Sequence, residues 1–223
     1  MHTWRFALAA LAALCLSACL PVTTSWPVGS SIVPVDDKRI EGTWSGKIAS
    51  DPSGATYYFH IVANDTDNGF TMVGMKQIQG DAAASWVTYK LNTAQLKSHY
   101  YFNARLVSIN GVAATADKAK LNIPLLYELN GDSLTTSVLD ETKAATAIHK
   151  KEIEGSVTRG QFGSDVVITG AGKRLDPFLG TTEGALMFTK FMELKRSKGA
   201  LSTPAHENNR PRPRVPHARQ AEG

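Results

Sequence analysis

The sequence predicts a mainly β protein: a single antiparallel β-barrel or strongly curved sheet with one or two short helices in its C-terminal third. Two observations carry this. From Gly42 onward, short runs rich in Thr, Tyr, Val and Ile alternate apolar and polar residues with period two. Between them stand turn clusters, among them Asp51-Pro52-Ser53-Gly54, Asn110-Gly111 and Asn130-Gly131-Asp132, which are hairpin signals.

The elements follow in order. Tyr57, Phe59 and Ile61 share one face, while Tyr58, His60 and Asn64 fall largely on the other. Val87, Tyr89 and Leu91 alternate with Thr88 and Lys90, and Tyr100, Phe102, Ala104 and Leu106 alternate with His99, Tyr101, Asn103 and Arg105. One wet and one dry face are implied. Ile123, Leu125, Tyr127 and Leu129 continue the pattern, and Leu134, Thr136 and Val138 follow the Asn-Gly-Asp turn. About seven antiparallel strands are expected before residue 140. Asp140 then reads as the N-cap of a helix from Glu141 to Lys151, with Ala144, Ala147 and Ile148 on one stripe. Val166 to Ile168 reads as a strand, Leu175 to Leu179 as a short helix opening near Pro177, and Phe188 to Arg196 as the closing strand. A barrel hides its edges without a second domain.

Composition is that of an ordinary globular chain, with 43% hydrophobic and 20% charged residues among 223. The formal charge of +4 is unevenly placed. Arg5 contributes +1, and residues 199–223, with four arginines against Glu207 and Glu222, contribute +2, which leaves about +1 for the body. Composition therefore gives no support to a general polyanion-binding surface.

At the amino terminus, Met1 to Arg5 carries one positive charge and Phe6 to Leu16 is an apolar run of 11 residues, against the ~20 needed to cross a bilayer as a helix. It ends in Leu16-Ser17-Ala18-Cys19, which resembles the lipobox of bacterial lipoprotein signals. The resemblance implies cleavage between Ala18 and Cys19 and lipid attachment at the Cys19 thiol, a strong nucleophile near neutral pH. It also implies the bacterial cell envelope, with Leu20 after the cysteine pointing to the outer rather than the inner membrane.

Four segments are expected: a signal peptide over 1–18, a lipid-anchored flexible linker over 19–37, a barrel-like domain over 38–197 and a disordered basic tail over 198–223. Pro21, Pro27 and Pro34 among Ser, Thr and Gly give the linker no periodicity, and a coil of that length spans about 25 Å. The tail carries Arg210-Pro211-Arg212-Pro213-Arg214 and few large apolar residues, too few to fold alone.

Gly42-Thr43-Trp44, opening the first strand, resembles the Gly-x-Trp motif of lipocalins and related calycins. That resemblance implies a barrel whose closed end is plugged by Trp44, with Arg196 of the last strand as the basic residue packed over it. The plan is also similar to that of uncharacterised bacterial lipoproteins.

Chemistry is sparse. Gly131-Asp132-Ser133-Leu134 spells the nucleophile block of a family of lipolytic hydrolases, but no histidine has Asp three residues before it to complete that family's base. The block occupies a hairpin turn, and no enzyme is expected. Asp65-Thr66-Asp67-Asn68-Gly69 hints at a calcium loop, yet Lys76 stands where a bidentate Glu is required. No metal site and no cofactor are expected. Aromatic residues are the concentrated resource: Tyr57, Phe59, Tyr89, Tyr100, Phe102 and Tyr127 are candidates to line a barrel cavity.

The function expected is therefore a membrane-anchored envelope lipoprotein that binds an apolar small molecule or lipid in its barrel. The alternative is a structural or assembly lipoprotein with a filled barrel that contacts another envelope protein. Export makes nucleic acid no partner in either case.

Overall fold

The structure, a computed structural model, describes residues 21–29, 35–48, 51–64, 69–78, 85–160, 163–170 and 172–197. Residues 1–20 with Ala18 and Cys19, the tail from 198, and most of the Asp65–Gly69 turn lie outside the described residues.

Seven barrel strands precede residue 140. They are β2 (Gly42–Ile48), β3 (Thr56–Ala63), β4 (Phe70–Gln77), β5 (Ser85–Leu96), β6 (His99–Ile109), β8 (Ile123–Asn130) and β9 (Ser133–Leu139). The eighth, β12 (Phe188–Arg196), returns between β9 and β2. Every pairing is antiparallel, and the β5–β6 pairing closes the sheet into an eight-stranded barrel. The long β5–β6 hairpin turns at Lys97-Ser98, where Lys97 takes a positive φ of 55°. A two-residue β7 (Val112–Ala113) pairs with the end of β6.

Register assigns the interior. Trp44 pairs with Phe59, Phe59 with Gly74 and Gly74 with Val87, so these four share the inner face. Because side chains alternate along a strand, the rest of the interior follows. Leu91, Phe102, Tyr127, Leu134, Met192 and Leu194 are buried there with Trp44, Ile61 and Phe70.

The C-terminal third holds three short helices where one or two are expected: α1 (Glu141–His149), α2 (Gly172–Leu179) and α3 (Thr182–Ala185). Asp140 caps α1 by accepting from the Lys143 amide at 2.9 Å. Helix α2 starts at Gly172 and carries Pro177 inside it, so the proline does not open the helix. Strand β11 (Gly163–Ile168) has an antiparallel partner with no clear alternation in sequence, β10 (Gly155–Gly160).

The largest departure from the sequence reading is the linker. Residues Thr23–Thr24 form β1, parallel to β11, and Val22, Thr24 and Val28 are buried. The Val28 amide donates to Asn103 Oδ1 at 2.7 Å, Asn103 Nδ2 donates back to the Val28 carbonyl at 2.9 Å, and the Gly29 amide donates to Asp176 Oδ1 at 2.8 Å. Residues 21–29 thus belong to the fold, not to a tether, and Asp37 is buried as well. Aperiodic sequence can still dock when a neighbouring wall supplies hydrogen-bond partners for its backbone.

That wall is the outer face of β6. It was read as wet, yet Tyr101 is fully buried and Tyr101 to Ala104 are consecutively buried. A second core covers it, built from Val22, Val28, Leu139, Ala144, Ile168, Leu175 and Phe188. Tyr101 Oη donates to the Leu179 carbonyl at 2.8 Å, which satisfies the one polar atom of a buried ring.

A chain shortened to begin at Asp36 would expose Tyr101 and Asn103. At roughly 2 kcal/mol for each of Val22 and Val28, it should be about 3–6 kcal/mol less stable than the chain from Leu20. Urea unfolding of the two measures this, and equal midpoints would return residues 21–29 to the role of a tether.

Candidate functional site

The barrel has one sealed end. Trp44 is fully buried, and its Nε1 donates to the Ile40 carbonyl at 2.7 Å from the 3-10 turn Lys38–Ile40. The Arg196 guanidinium lies 4.2 Å from the centre of the Trp44 ring and donates to the carbonyls of Glu41 and Arg39. A cation over an indole face, with its donors satisfied by backbone, combines cation–π attraction with a plug. Gly42 is required here: its φ is +119°, and a Cβ would stand 2.8 Å from Arg196 Nη1. Next to the plug, Asp37 accepts from Arg39 Nε at 2.7 Å, Arg39 Nη2 at 2.8 Å and Tyr127 Oη at 3.0 Å.

Burial along the strands then distinguishes the two ends. On β2 the inward residues run from buried Trp44 to half-buried Ile48, and on β3 from buried Ile61 to half-buried Phe59 and Tyr57. On β5 they run from buried Thr93 and Leu91 to half-buried Tyr89 and Val87; on β8 from buried Tyr127 to half-buried Leu125 and Ile123. These four strands grade away from Trp44, whereas β12 keeps Met192 and Leu194 buried along its length. These inward side chains pack on the buried core of the barrel and keep partial solvent access at the end away from Trp44.

All six candidate lining residues face inward, but they divide by depth. Phe102 and Tyr127 are buried and stacked, with ring centres 3.9 Å apart, and Tyr100 lies 5.7 Å from Tyr127 in a tilted contact. These three build the floor. Phe59, Tyr89 and Tyr57 stand in the half-buried upper wall. The Phe59 ring crosses Gly74, where a Cβ would come within 2.9 Å of it. A side chain at 74 would push that ring into the barrel interior.

At the mouth the structure adds a group that was not expected. Tyr57 Oη donates to Asp51 Oδ2 at 2.5 Å, Lys76 Nζ is 3.0 Å from the same oxygen, and Lys76 also lies 5.6 Å from the Tyr57 ring centre. Hydrogen bonds from Ser53 and then from Tyr57 hold the Asp51 carboxyl below its usual range. Burial alone would lower Lys76, but hydrogen bonds with Asp51 and Tyr57 outweigh it and raise its pKa, so the amine stays a cation. Sequence did carry a signal. Lys76 falls in phase with Phe70, Met72 and Gly74 on the dry face, and a charge there demands a partner.

Ser133 sits at the start of β9, where its Oγ accepts from Lys195 Nζ at 3.0 Å. That amine also pairs with Glu193 at 3.3 Å. Among the described residues there is no cluster of three or more His, Cys, Asp or Glu placed to hold a metal, and no described helix is long and apolar enough to cross a membrane. No protein-family model, curated protein or solved structure matches the chain significantly.

The floor makes a pH prediction. Burial acts to raise the Asp37 carboxyl, but hydrogen bonds from Arg39 and then Tyr127 prevail and hold it below its ordinary value. Its contribution is thus complete above the unfolded carboxyl's pKa near ~4 and is lost as pH falls through the lower folded value. Tyr127→Phe keeps the stacked ring and removes one donor. It should cost about 1–3 kcal/mol at neutral pH, and, because the folded carboxyl then titrates nearer its unfolded value, the acid limb of a stability–pH curve should be smaller and end at higher pH. Superimposable acid limbs would show that Tyr127 does not hold Asp37.

Proposed function

We propose that this chain is an envelope lipoprotein whose barrel binds one amphipathic, lipid-like molecule, with its apolar part in a cup at the end away from Trp44 and its polar head at Lys76, Tyr57 and Asp51. The observation that supports this most is the graded solvent access of the inner wall above a sealed floor. Apolar surface such as Phe59, Met72, Tyr89 and Leu125, left half-buried inside a barrel, is stabilised when an apolar ligand replaces water against it. The mouth supplies an ammonium and a phenol to fix a head group. Membrane attachment rests on Leu16-Ser17-Ala18-Cys19, with acylation of Cys19 and location in the bacterial envelope, the outer membrane before the inner. No catalytic role is assigned to any residue.

Two experiments test this. N-phenyl-1-naphthylamine should fluoresce on binding the chain from Leu20, and Met72→Trp, which fills the middle of the cup, should weaken binding about tenfold or more. A control at outward-facing Thr71 should leave it unchanged. No enhancement, or equal affinity in Met72→Trp, would favour the filled barrel of a structural lipoprotein. Separately, Cys19→Ala in the full chain should abolish palmitate incorporation and leave the precursor uncut; normal labelling of that variant would overturn the anchor.

A further inference from the structure

Strands β2 to β7 carry no acidic residue, and the sequence holds none at all between Asp81 and Asp117. On the outer face of this wall, next to the mouth, apolar side chains stand in solvent. Tyr58, Met75 and Trp86 are direct cross-strand neighbours in one row. Trp86 lies beside Gly111, and at the rim itself Ile109 and Val112, which share the face of Val87, are exposed as well, Val112 at 73%. Exposed large apolar residues gathered at one rim, and not scattered singly, mark a surface that is covered in use.

The rows of this wall are graded. One row in from the rim, His60, Val73, Thr88 and Ser108 are mutually paired; one row further, Thr71 pairs with Lys90 and Lys90 with Arg105. Lys90 stands four residues along β5 from Trp86, about 13 Å at strand rise. Cations therefore stand about one head-group depth behind an aromatic and aliphatic tip. That order matches a lipid interface, where Trp and Met enter the acyl boundary while Lys and Arg meet phosphates. A protein partner would have no need of that depth ordering.

Val22 is buried only three residues after Cys19, and three residues span at most ~11 Å. An acyl group on Cys19 would thus hold the folded body close against the bilayer instead of on a long tether.

We infer that the outer wall of β3 to β6 is a membrane-docking face: Tyr58, Met75 and Trp86 enter the surface of an anionic bilayer, with Lys90 and Arg105 on its phosphates. The mouth of the cup then opens at the lipid from which its ligand comes. This deepens the proposed function, and the contribution of the anchor rests on that reading, but the wall acts without the acyl group.

The test uses the unacylated chain from Leu20, which retains every described residue. It should co-sediment with vesicles containing phosphatidylglycerol, more weakly with pure phosphatidylcholine, and more weakly as salt rises. Lys90→Glu with Arg105→Glu should weaken binding about tenfold or more, and Trp86→Ser with Met75→Ser about tenfold. All four sites are exposed, and unchanged circular dichroism and melting would show the fold intact. Ending the chain at Ser197, without the arginine tail, should retain the binding. The inference is overturned by absence of vesicle binding, by binding lost with the tail alone, or by indifference to both double variants. It is equally overturned if the wall variants abolish a dimer in sedimentation velocity while lipid binding persists. Failure of palmitate labelling at Cys19 would leave these results standing, so the two readings fail separately.

Discussion

The contact of Arg196 with Trp44 sets the geometry on which the rest of the molecule depends. Trp44 lies on the first barrel strand and Arg196 on the last, paired directly in register, so the interaction acts at the seam where the chain's two ends meet. The guanidinium takes its acceptors from the segment just before Gly42, which ties the 3-10 turn under the barrel. Asp37 extends the same seal through Arg39 and Tyr127. The buried members of this group, Asp37 and the Trp44 indole, have their polar atoms hydrogen-bonded, while both guanidinium groups keep contact with solvent, so little desolvation opposes the attraction.

A floor fixed in this way gives the interior a direction. Stacked Phe102 and Tyr127 fill the barrel near it, and packing relaxes upward into side chains that still meet water. The second core has a related consequence outside the barrel. By covering β6 and the end of β5 with α1, α2 and the β1–β11–β10 sheet, it leaves β3, β4 and the first part of β5, with the rim at β7, as the wall without cover among the described residues, and that is where the acid-free, apolar-tipped surface lies. Interior and exterior are thus polarised toward the same rim.

Much of the barrel was legible because a half-buried strand writes its two faces into the sequence. Tyr57-Tyr58-Phe59-His60-Ile61 and the run from Tyr100 to Leu106 place their inward residues correctly, and Phe188 to Arg196 was bounded by its own alternation. Period two reports which residues share a face, but not what covers that face. Tyr101 and Asn103 were therefore read as exposed, and Val22 to Gly29, whose order comes from hydrogen bonds to Asn103 and Asp176, looked like a tether. The mouth group was missed for a similar reason: Asp51 lies in a turn that reads as ordinary hairpin punctuation, and it is the β3–β4 register, pairing Tyr57 with Lys76, that brings both to it.

The central claim is that the interior is sealed at the Trp44 end and open to solvent at the other. The chain from Leu20 contains no native cysteine, so single thiols report on it cleanly. The most direct measurement is the rate at which a polar maleimide labels Met72→Cys in the upper wall and Ala104→Cys near the floor, both inward, under native conditions. The account predicts that Met72→Cys reacts in the folded protein while Ala104→Cys waits for unfolding. Equal protection at both positions would mean a barrel filled from end to end, and equally fast labelling at both would mean that the floor is not closed.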